Sequence, residues 1–115
     1  MLLLYFIDAK AQVSYTYRYR VVLAHNPAAK AQEAITWLSN FTHPYNVITG
    51  IDPAIIELET VEKIDREKLK GKMEKVKFSV AEIKLLSQVL ITTEQKAKLE
   101  ELMRLREAER IAAGK

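Results

Sequence analysis

Val13-Ser14-Tyr15-Thr16-Tyr17-Arg18-Tyr19-Arg20-Val21-Val22-Leu23-Ala24 alternates as a β-strand does, and the rest of the chain is best understood around it. Successive side chains of a strand point to opposite faces. Tyr15, Tyr17, Tyr19, Val21 and Leu23 therefore fall on one side, and Thr16, Arg18, Arg20 and Val22 on the other. Aromatic and β-branched residues suit a pleated, half-buried surface. Upstream lies an apolar run over residues 1–7, MLLLYFI. It is shorter than the roughly 20 residues that span a bilayer, and it lacks the basic flank and small-residue cleavage site of a signal peptide. A strand over 2–7, joined to the one at 13–25 by a five-residue loop, predicts an N-terminal β-hairpin. No membrane span is expected. The corresponding location is the cytoplasm, or a host cytoplasm for a chain of viral or plasmid origin.

Downstream, Asn26-Pro27 opens a predicted helix, with Asn as N-cap and Pro at the first helical position. Ala28, Ala31, Ile35 and Leu38 follow at helical spacing, widened by Ala34, Trp37 and Phe41. The small residues let this helix lie close on a sheet. His43-Pro44 ends it, because a residue before proline avoids the α region. Two more strands are expected at 45–49 and 55–61. The charge-dense stretch 62–72 holds one or two helical turns at most, capped by Asp65 and stopped at Gly71. A short alternation over 73–78 predicts another strand. Ser79-Val80-Ala81-Glu82 and Thr92-Thr93-Glu94-Gln95 both fit capping boxes, so two helices are expected to close the chain. The first would bury Val80, Ile83, Leu86, Val89 and Leu90.

The predicted fold is thus α+β, in the order β-β-α-β-β-(β)-α-α. It has a single antiparallel-rich sheet, an Ala-rich helix packed on it and a C-terminal helical pair. Residues 1–105 form one domain, and 106–115 a charged helical extension.

Composition narrows the chemistry. The 115 residues are 49% hydrophobic and 29% charged, which suits a folded globular domain. Cysteine is absent, which removes disulfides, thiolate metal sites and a cysteine nucleophile. The three glycines lie far apart, so no glycine-rich phosphate loop exists. The net charge of +3 is spread, with a surplus of one over residues 1–56 and two over 57–115. No long-range positive field follows from that balance.

His25 and His43 flank the first predicted helix, whose sixteen or so residues span about 24 Å. They cannot share a zinc ion, whose ligands sit about 2 Å from the metal. Asp52, Glu57 and Glu59 lack the nearby lysine of a nuclease site, and no serine has a nucleophile-elbow context. Neither a catalytic residue, a metal, a cofactor nor a small-molecule substrate is expected.

Two segments have functional readings. The C-terminal helix carries an apolar stripe, Leu99, Leu102, Met103 and Leu105, and then Arg106, Glu109 and Arg110 where that stripe would continue. Leucine-rich helices running into charged ends dock on other chains by helix-in-groove or coiled-coil packing. This predicts a non-catalytic binding or assembly protein, a homo-oligomer or the holder of a protein partner, with Leu99, Leu102, Met103, Leu105, Arg106 and Arg110 in the contact. The alternative is a nucleic-acid binder that uses Tyr17, Arg18 and Arg20, with Lys75 and Lys77 on a neighbouring strand. Against it, alternation puts rings and guanidinium groups on opposite faces.

Overall fold

The computed structural model describes residues 14–25 and 27–113. In chain order these form β1 (Ser14–Leu23), α1 (Pro27–Thr42), β2 (Asn46–Thr49), β3 (Ile55–Thr60), α2 (Arg66–Lys75), β4 (Val80–Ile91) and α3 (Thr93–Ala113). The strands make one sheet in the spatial order β2-β3-β1-β4, antiparallel at every junction. β1-α1-β2 and β3-α2-β4 each skip one strand, so two split β-α-β units interlock in the ferredoxin-like arrangement. The fold is α+β, with α3 appended. No helix among the described residues is long and apolar enough to cross a membrane.

The alternation in β1 decides which face is covered. Tyr19, Val21 and Leu23 are buried, as are Ile56 and Leu58 beside them on β3. Ala34 and Leu38 of α1 and Leu69 and Met73 of α2 pack on that face, closed off by Phe78 and Val80. Among the described residues, the other face of the sheet carries no helix of this core.

The expected helix at 27–42, the strands at 46–49 and 55–60, and the last helix all form. Four expectations need correction or relocation. The hairpin partner at 2–7 lies outside the described residues. β1 is moreover flanked over residues 17–22 by β3 on one edge and β4 on the other, leaving no free edge there. Residues 80–91 are a strand and not a helix, so there is no C-terminal helical pair. Ser79 does not cap a helix; its carbonyl accepts the Ala24 N–H (2.8 Å) and extends the β1–β4 ladder. The 73–78 strand is absent, because α2 runs straight through Gly71 to Lys75.

Each helix end has a local cause. Asn26 lies outside the described residues, but the far end of α1 is clear. His43 takes a left-handed φ of 48°, its N–H bonds the Ser39 carbonyl (3.2 Å), and Pro44 follows. Asp65 caps α2 by accepting the Lys68 N–H. At its other end Phe78 N–H reaches Met73 O (3.0 Å) and Lys77 N–H reaches Glu74 O (3.1 Å). That pair of bonds is a Schellman motif, with Lys77 at φ 77° in the place glycine usually takes. The capping box at α3 forms in full: Gln95 N–H donates to Thr92 Oγ1 (3.1 Å), and Thr92 N–H donates to Gln95 Oε1 (2.9 Å).

Candidate functional site

The sheet face away from the helix core holds the arginines. Arg20 stands directly across from Glu57 on β3 and from Lys84 on β4, and Arg18 from Glu59 and Ser87. Glu57 binds both guanidinium groups. Arg18 Nε and Nη2 lie 2.9 and 2.7 Å from Oε1, while Arg20 Nε and Nη2 lie 3.3 and 3.1 Å from Oε2. Burial pushes the Glu57 carboxyl up. Hydrogen bonds and charge from Arg20 and Arg18 outweigh it and hold the group below its ordinary value. Glu59 accepts a bond from Asn46 Nδ2 (2.8 Å). By register, Arg18, Arg20 and Lys84 share this face with Glu57, Glu59 and Glu82, so its charges cancel.

Tyr17 is on the opposite face, between Tyr15 and Tyr19, with ring centroids 6.4 and 6.3 Å away. Lys75 is on α2 and Lys77 in the turn after it, on the helical side of the sheet. The expectation that these lysines occupy a strand beside the arginines is therefore corrected. The five residues named for nucleic-acid contact do not share a surface, and the arginines already have a carboxylate partner.

The C-terminal helix presents a different picture. Leu99, Met103 and Glu107, at i, i+4 and i+8, are half-buried and face the body. Glu107 Oε2 meets His43 Nδ1 at 3.1 Å, tying α3 to the end of α1. Leu102 and Leu105 stand about 100° and 160° round the helix from Met103. They are 40% and 54% exposed. The expected stripe therefore splits, with Leu99 and Met103 turned inward and Leu102 and Leu105 turned outward. Beyond them Ile111 is 58% exposed. An open groove of about 670 Å³ runs beside this outward face, with Leu102, Leu105 and Arg106 on one side and Ser39, Pro44 and Val47 on the other. Arg110 follows Arg106 one turn further along α3.

His25 and His43 stand at opposite ends of α1. Among the described residues, no three His, Asp or Glu side chains group as metal ligands would. What the sequence did not disclose is Glu57 as the clamp of both arginines. Its position on a strand was legible, but its neighbours follow from the β1–β3 register, which hydrophobic patterning leaves open.

No family model, no curated protein and no solved structure matches this chain.

Proposed function

We propose that this protein is a non-catalytic assembly module whose copies associate through α3. The supporting observation is the outward pair Leu102 and Leu105, two large apolar side chains left to solvent on a 21-residue helix otherwise held at its inner stripe. Apolar residues clustered on a surface and rimmed by charge mark interaction sites. Here the rim is Lys98, Glu101, Arg106 and Glu109. The sheet face offers less: its arginines are neutralised, and the exposed Val89 and Leu90 of β4 are neighbours in sequence that fall on opposite faces of the sheet.

Multi-angle light scattering over micromolar to high-micromolar protein tests this. The parent chain is expected to exceed the monomer mass of 13.2 kDa, and Leu102→Glu/Leu105→Glu to return it to monomer with its melting transition intact. A parent chain that stays monomeric throughout overturns the reading.

A further inference from the structure

The outward face of α3 carries a charge pattern that specifies how two copies would meet. Lys98, Leu102, Leu105, Glu109 and Ala112 follow at spacings of four, three, four and three, and all five are exposed. On an α-helix they lie within about 80° of arc, the width of a coiled-coil seam. Two leucines sit at the centre, a cation lies toward the N-terminal side and an anion toward the C-terminal side.

We infer that two copies pair α3 against α3 in antiparallel order about a two-fold axis between Leu102 and Leu105. This rests on the self-association proposed above and adds orientation and register to it. In that arrangement Leu102 packs opposite the partner's Leu105, and Leu105 opposite the partner's Leu102. One layer further out on each side, Lys98 faces the partner's Glu109. At the ends Gln95, already engaged in capping, meets the small Ala112. The same residues of one chain thus supply both halves of an isologous contact.

The parallel alternative is selected against. In register, it stacks Lys98 on Lys98 and Glu109 on Glu109, two like-charge layers flanking the leucines. Opposed charges at such positions set orientation in helix pairs, and like charges exclude partners. The contacts that hold α3 to the body run along the Leu99, Met103 and Glu107 stripe, while Leu102, Leu105 and Glu109 line the open groove beside Ser39, Pro44 and Val47, so the partner's helix would lie along the mouth of that groove.

Charge reversal tests the pairing. Lys98→Glu alone and Glu109→Lys alone each create two like-charge layers, and are expected to weaken association about tenfold or more. Combined in one chain, Lys98→Glu/Glu109→Lys restores opposed charges and is expected to recover the parent affinity. A parallel pair would leave all three variants close to the parent. The absence of native cysteine allows a second readout. Leu102→Cys mixed with Leu105→Cys should form an intermolecular disulfide on oxidation. Lys98→Cys alone should not, since its two copies lie about 16 Å apart along the helix axis, beyond the roughly 7 Å Cα limit for a bridge. A dimer indifferent to charge reversal, a double variant that stays weak, or efficient Lys98→Cys cross-linking overturns the antiparallel register and leaves self-association standing. A monomeric parent overturns self-association itself.

Discussion

Tyr19→Phe removes one oxygen from the centre of this fold, and its cost can be worked from the structure. The Tyr19 ring is 1% exposed under the helices, and phenylalanine keeps that packing. What disappears is the hydroxyl's link to the β3–α2 connection. It accepts the Ile64 N–H at 2.8 Å and donates to the Ile64 carbonyl at 3.5 Å, a weak second contact. Ile64 immediately precedes Asp65, the cap of α2. In the same turn Thr60 Oγ1 donates to Glu62 O at 2.7 Å. A net hydrogen bond contributes about 1 kcal/mol, and an orphaned buried donor costs about 1–3 kcal/mol. Ile64 is half-buried, so water recovers part of that. The expected loss is about 1–1.5 kcal/mol. For 115 residues, at about 2.1 cal/mol/K of unfolding entropy per residue, this lowers Tm by about 5 °C. Urea unfolding followed by Trp37 fluorescence would measure it, at one fixed protein concentration because association raises apparent stability. The pH dependence gives a second check. Burial pushes the Tyr19 phenol up, and the Ile64 bond only partly counters it. The native phenol therefore holds its proton after the unfolded one has lost it. Its contribution is complete below the ordinary tyrosine value and declines as pH rises through the native one, so parent and variant should converge in alkali. A variant within about 0.3 kcal/mol of the parent at neutral pH, below the usual cost of a lost bond, would refute the hydroxyl's role in seating α2.

The remaining predictions concern the end of α2 and the arginine clamp. Lys77 holds a left-handed φ of 77°, so Lys77→Gly should raise stability by about 0.5–1 kcal/mol in a thermal melt, the relief of that conformation less the added chain entropy. Gly71 lies inside α2, and beyond its own helix backbone nothing stands within 4 Å of where a Cβ would sit, so Gly71→Ala should add a similar increment, about 0.5–1 kcal/mol. Glu57→Gln leaves Arg18 and Arg20 side by side without the carboxylate that bridges them. With both arginine side chains about 40% exposed, the expected loss at neutral pH is about 1 kcal/mol. Because the Glu57 carboxyl is held below its ordinary value, its contribution is present above that value and lost as pH falls through the native one. Denaturant midpoints of parent and Glu57→Gln should therefore converge in acid, and a constant gap would show that the clamp adds no charge-dependent stability.

The parts of the fold legible in the sequence were those with an unbroken period. β1 kept strict alternation through all its buried positions, α1 carried a small-residue stripe, and Thr92 and Gln95 spelled out a cap. β4 was illegible because its period is broken twice. Ala81 and Leu86 are extra residues opposite β1, where the register shifts at Val22/Leu23 and Arg18/Tyr19. The residues aligned with the buried side of β1 are Val80, Ile83, Leu85, Gln88 and Leu90, separated by three, two, three and two. That spacing, with Leu86 and Val89 filling in, imitates helical periodicity. The start of α2 at Asp65 was legible, but its run past Gly71 was not, for a different reason. Its sequence REKLKGKMEK holds only two apolar residues, yet both Leu69 and Met73 are fully enclosed by the sheet and Phe78. At the candidate contact, the leucine stripe was visible, but its division into inner and outer pairs was not. That division depends on where His43 meets Glu107, a contact between residues 64 positions apart.

The same bulges that hid β4 bear on where copies of this chain can meet. An edge strand invites pairing with another sheet, and natural edges are blunted by shortness, charge and bulges. β2 is an edge of four residues. β4, the other edge, is twelve residues long, but two bulges interrupt it and Glu82 and Lys84 lie exposed between them. Its longest stretch of unbroken register is 87–91, only five residues, which leads at once into the α3 cap. Continuous sheet-to-sheet addition along either edge is therefore geometrically poor. α3 has the opposite character: regular, capped, 21 residues long, with Leu102 and Leu105 left to solvent. Association through the helix makes those blunted edges coherent, since a chain that assembles through one surface gains specificity when its competing surfaces are closed to pairing.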